Sequence, residues 1–118
     1  MPDPAPLTRL ESEHLSAWER VGAMKVELEG LAGDAGDLNG DDEHDPEGST
    51  LAYERARVAA LLAEAESNLG DLDRAMAKVA DGRYSVCERC GGTIPPERLE
   101  ALPATRWCID CTRTQPPR

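Results

Sequence analysis

Cys87, Cys90, Cys108 and Cys111 are the only cysteines in this 118-residue chain, and they form two Cys-x-x-Cys pairs separated by 17 residues. A thiolate is a strong ligand for zinc, and a two-residue spacer lets both sulfurs of a pair face one ion. An intervening stretch of this length can fold back and bring in the second pair. The glycines Gly91 and Gly92 after the first pair allow the tight backbone turn that such a knuckle needs. The expected product is a site of four thiolates holding one zinc. With no protein ligand position left open, its role is structural rather than catalytic.

Other uses of four cysteines fit less well. Two disulfides would suit a secreted protein, but residues 1–14 show neither a basic leader nor an apolar run, so no signal peptide is expected. An iron–sulfur cluster also accepts four thiolates, although paired knuckles around a polar loop suit zinc better. A thioredoxin-like redox pair would need a βαβ pattern, and none is visible. No Ser/His/Asp or Cys/His arrangement with supporting context appears, so the chain does not read as an enzyme. His14 reads as a half-buried packing residue, His44 as an exposed loop residue, and Trp18 and Trp107 as core.

Composition narrows the partners. The net charge is −10, charged residues make up 31%, aromatics only 3%, and phenylalanine is absent. Such a chain has little material for a large core, and its charge argues against direct binding to DNA or RNA, which needs basic surface to displace counterions. No stretch approaches the ~20 apolar residues of a membrane span. A soluble, cytoplasmic, monomeric protein is expected. From Asp34 to Gly48 there are seven acidic residues and no basic one. That run is either a solvated turn or a set of carboxylates delivered to a partner's basic site or metal centre.

The elements that must carry these groups are helical. Residues 1–6, with three prolines, read as a flexible lead. Leu7, Leu10, Trp18, Val21, Leu28 and Leu31, with His14 and Lys25 between them, predict a helix over 7–32. Gly33 and the acidic run then predict a tip loop over 33–45. Val58, Leu62, Ala65, Leu69, Leu72, Met76 and Val79 alternate steps of four and three, an a/d seam that predicts a helix over 46–82. Asp45 is the expected N-cap, Pro46 the first helical residue and Gly82 the stop. The predicted fold is mainly α: an antiparallel coiled-coil hairpin (7–82), a small four-cysteine zinc module (83–112) and a flexible tail (113–118). Ile94, Leu99, Leu102, Trp107 and Ile109 are the expected mini-core of the module, and Pro95-Pro96 starts a short turn of helix between the knuckles.

The run GRYSVCERCGGTIPPERLEALPATRWCIDC resembles the C-terminal zinc finger of the DksA/TraR family. Gly82, Tyr84, the four cysteines, Gly91, Ile94, Arg98, Leu99, Ala101 and Pro103 fall on the family pattern, while Ser85 stands where glycine is usual. The predicted hairpin extends the likeness over nearly the whole chain. The resemblance implies a bacterial transcription regulator that binds RNA polymerase rather than DNA, its coiled coil entering the secondary channel to modulate initiation. It also implies an acidic tip motif, D-x-x-D-x-A, which falls on Asp42 and Asp45, with Glu47 in place of the alanine. Seven residues follow Cys111, too few for the C-terminal helix of longer members, so a guanosine tetraphosphate site that depends on that helix is not expected. The alternative is a zinc-stapled interaction module that docks on the ribosome or a stress-response protein.

Overall fold

A computed structural model describes residues 4–37 and 46–114. Four helices follow one another: α1 (Pro4–Asp37), α2 (Pro46–Ala80), α3 (Pro96–Ala101) and α4 (Ile109–Thr114). α1 and α2 form an antiparallel coiled-coil hairpin, and the two short helices belong to the cysteine module that follows it. Among the described residues the only β pairing is an isolated bridge between Val86 and Thr93.

The helix ends correct the expected boundaries. α1 begins at Pro4, inside the segment read as a lead. Pro4 and Pro6 both lie in its first turn, where backbone N–H groups have no intrahelical acceptor, so the missing donors cost nothing. α1 also runs past Gly33 to Asp37. A helical glycine costs about 1 kcal/mol relative to alanine but leaves the hydrogen-bond ladder uncut. α2 starts at Pro46 as expected and stops at Ala80, two residues early. Gly82, at φ 72°, is the left-handed residue just past the end. The Gly82 N–H donates to the Val79 carbonyl (3.1 Å) and the Arg83 N–H to that of Lys78 (2.8 Å), the paired bonds of a Schellman stop. α4 reaches Thr114, beyond the expected start of the tail.

The described structure divides into two compact units. One takes α1 up to Leu15 and the chain from Leu69 onward; the other is Ser16–Asn68. In the second unit Ala17, Val21, Val58 and Ala65 are buried, and Lys25 faces Glu66 at 3.9 Å on the flank. The α1 seam therefore uses Ala17 and the half-buried Met24, whereas Trp18 is 62% exposed and Lys25 is exposed. Stepping three and four from Leu10 through His14 lands on Ala17; the larger apolar residue one place on faces outward. In the first unit Leu10, Leu72, Ala75 and Val79 are buried, and His14 sits half-buried with Nε2 2.7 Å from Asp73 Oδ1. His14 is thus a packing residue with a polar handle. All seven apolar seam residues of α2 are buried or half-buried.

Candidate metal centre

A tight turn carries the first knuckle. The Cys87 N–H donates to the Gly92 carbonyl (2.8 Å), the Gly91 N–H to that of Cys87 (3.0 Å), and the Ile94 N–H to that of Ser85 (2.7 Å). Gly91 sits at φ 74°, a conformation that is costly for any residue with a Cβ. α3 starts at Pro96, and the chain returns through residues 102–107 to place Cys108 just before α4 and Cys111 in its first turn. Beneath the sulfurs, Cys87, Ile94, Leu99 and Cys108 form a buried cluster, with Tyr84, Trp107 and Cys111 packed against it. Leu102 and Ile109, expected in this core, are exposed instead. A module this small buries Ile94 and Leu99, half-buries Trp107 and leaves Leu102 and Ile109 at its surface.

The four sulfurs all lie within 4.8 Å of one another. Cys87 to Cys111 and Cys90 to Cys108 are each 3.8 Å apart, both pairs crossing between the knuckles. A tetrahedron with Zn–S of about 2.3 Å has an edge of about 3.8 Å, so the donor set fits one zinc ion. The cysteines are free thiols, and the separations are far beyond the ~2.05 Å of a disulfide. Backbone donors are aimed at the sulfurs. Cys90 and Cys108 N–H groups point to Cys87 Sγ (3.5 and 3.3 Å), and that of Gly92 to Cys90 Sγ (3.3 Å). Burial raises the Cys87 thiol, but the N–H groups of Cys90, Cys108 and Arg89 outweigh it and bring it down to about 6. Burial, followed by hydrogen bonding with the neighbouring thiols, pushes Cys111 up to about 12. One sulfur is thus prepared as a thiolate, and another needs the cation itself to lose its proton.

Three polar features lock the centre in place. Arg98 on α3 donates to the Trp107 carbonyl (3.0 Å), Thr112 Oγ1 (3.1 Å) and Thr105 Oγ1 (3.4 Å), stitching the second knuckle to the module. Glu88, between the first two ligands, lies 3.4 Å from Arg106, 3.6 Å from Lys78 and 3.9 Å from Arg74, while Lys78 donates to the Val86 carbonyl (2.8 Å). These groups tie the last turns of α2 to the knuckle. The Tyr84 hydroxyl donates to the Pro103 carbonyl (2.7 Å); burial raises its pKa, partly opposed by Arg9 and assisted by Glu13. Arg89 lies over the Trp107 ring, 5.5 Å from its centre. Arg98 stood on the family pattern without an assigned task, and Glu88 carried no signal in the sequence. Their roles emerge only once α2 and the returning strand of chain lie beside the knuckle. Asp42, Asp45 and His44 lie outside the described residues.

Residues 82–115 match the prokaryotic dksA/traR C4-type zinc finger. Over 110 residues the chain is 33% identical to general stress protein 16O of Bacillus subtilis, covering 88% of this chain and 68% of that one. It is 42% identical over 40 residues to the RNA polymerase-binding transcription factor DksA of Escherichia coli, a match that spans 34% of this chain and 26% of that protein. Among solved structures, transcription factor DksA2 from Pseudomonas aeruginosa superimposes with a TM-score of 0.54 at 22% identity, covering 98% of this chain and 90% of that one, a likeness of fold. Four sulfurs spaced for one zinc, the hairpin before them and a relative aligned over most of both chains have one reading: the chain belongs to the DksA/TraR C4-type zinc finger family.

Proposed function

We propose that the chain is a transcription regulator that binds RNA polymerase and places its acidic segment in the secondary channel to modulate initiation. The observation that carries this is the cysteine module, which shares its family and 42% of 40 aligned residues with a protein named for binding RNA polymerase. The zinc is structural in this reading: four thiolates complete its shell, and the role of the module is to hold the end of the hairpin in a fixed form. Asp42 and Asp45 are the carboxylates offered to the channel. A channel that admits anionic nucleotides favours a positive lining, and an acidic element complements it. The protein acts by binding, without catalysis of its own, in the cytoplasm and as a monomer, and makes no sequence-specific contact with DNA. Among the described residues no helix is long and apolar enough to cross a membrane.

A second reading has its own support, since the relative aligned over most of this chain is named a general stress protein. There the hairpin would dock on the ribosome or a stress-response protein. The two separate in one experiment: zinc-loaded protein is offered core polymerase and ribosomes in parallel, with a secondary-channel factor as competitor on polymerase. Saturable polymerase binding that the competitor displaces supports the first reading. Binding to ribosomes alone would sink it.

A further inference from the structure

The outer face of α1 in the Ser16–Asn68 unit carries a feature that neither the seam nor the zinc centre uses. Trp18, Gly22 and Val26 fall at steps of four, which places them along one line of the helix, turned away from the buried Ala17 and Val21. Trp18 is 62% exposed and Val26 70%, and nothing lies within 4 Å of where a Cβ on Gly22 would be. A single exposed apolar residue is ordinary, but an aromatic and a branched residue flanking a bare glycine make a shallow apolar notch. Among the positions beside this line are Glu19 and Glu29, both exposed, and neither has an ion-pair partner among the described residues. The cation nearest in sequence on that side, Lys25, is turned to the flank against Glu66. The stripe is therefore apolar at its centre, with Glu19 and Glu29 at its border and the exposed Lys25 drawn toward Glu66.

We propose that this stripe is a docking surface for RNA polymerase, receiving an apolar ridge bordered by lysine or arginine side chains. The proposal rests on the polymerase reading above and deepens it, by assigning binding affinity to the Trp18 face rather than to the acidic tip. Charge selects the partner: a second copy of this chain would bring carboxylates against carboxylates, and a stripe of three positions is far smaller than the ~800 Å² per partner of a stable interface. On a larger interface, a tryptophan set in a notch is the kind of residue that dominates affinity.

The test uses the zinc-loaded full chain. Trp18→Gln/Val26→Gln keeps good helix formers at exposed positions, so helicity and zinc content should equal the parent's. Its affinity for core polymerase should fall at least about tenfold, as loss of a central aromatic anchor does. Glu19→Gln/Glu29→Gln should weaken binding and flatten its salt dependence, whereas Tyr53→Gln, exposed on α2, should bind as the parent does. Parental affinity in the Trp18/Val26 variant overturns the docking surface and leaves the polymerase reading standing. A parent that does not bind polymerase removes both. Sedimentation that shows a dimer abolished by the Trp18 change would assign the stripe to a second copy and overturn the proposal.

Discussion

Gly91 and Arg98 support the zinc centre in different ways, and substitution separates them. At φ 74° an alanine at position 91 adopts a left-handed backbone at a cost of about 1–2 kcal/mol, and that strain lies in the turn directly after the ligand Cys90. Gly91→Ala should therefore weaken zinc affinity by about tenfold in a chelator competition while leaving the α1–α2 seam intact. Arg98→Ala removes three donors at once and leaves the Trp107 carbonyl short of a partner, so the second knuckle should loosen and Trp107 near-ultraviolet dichroism should fall. Cys90→Ser takes a ligand away altogether. Because the binding energy of the metal is the folding energy of so small a module, that variant should lose zinc and module structure yet keep most of its helicity. Acid acts on the same sulfurs. Cys87 is lowered to about 6 from an ordinary 9.0, so its stabilising contribution is complete above the ordinary value and is lost as the pH falls through about 6. Zinc retention should decline on acidification from about pH 7 to about pH 5, read by dye capture of released metal. Retention unchanged over that range would show that bound zinc, more than the backbone donors, keeps this sulfur deprotonated.

At the scale of elements, the two long helices show what a pattern can and cannot reveal. The α2 seam was legible residue by residue because six of its seven apolar positions, all but Ala65, are large. The α1 seam was legible in outline only: small Ala17 occupies the buried place and Trp18 the exposed one. Burial there follows the heptad geometry, and hydrophobicity alone points one residue off. The helix ends differ from the expected boundaries for a related reason. Proline and glycine mark turns in general, yet proline is harmless in a first turn and glycine is merely expensive in a last one. The four ligands were legible in full, since Cys-x-x-Cys spacing is local chemistry, whereas the Glu88 cluster joins residues from position 74 to position 106 and exists only in three dimensions. The seam correction can be checked by stability. Leu10→Ala, at a fully buried position, should cost about 2–4 kcal/mol in urea unfolding, while Trp18→Ala should stay within about 0.5 kcal/mol. Equal costs would restore Trp18 to the seam.

Over the whole chain, charge and chemistry divide the labour. Residues 1–73 hold 18 acidic against five basic side chains, and residues 74–118 hold five acidic against eight basic. The negative field thus belongs to the hairpin sequence, and the cysteine module is close to neutral once its thiolates carry zinc. This distribution suits a protein that approaches a positively lined cavity with its hairpin and rests its module on ordinary protein surface. In that reading Asp42 and Asp45 act where they are delivered and contribute little to holding the complex together. Replacing both with asparagine should barely change folding, because exposed carboxylates add little stability and asparagine caps a helix nearly as well as aspartate. The zinc content and helicity of the double variant should match the parent's, and its affinity for core polymerase should stay within a few-fold. Its effect on initiation, measured by in vitro transcription with the same preparation, should be lost. A variant that binds and regulates like the parent would reduce the acidic segment to a solvated turn. One that fails to bind at all would move the affinity from the hairpin face and module to the tip.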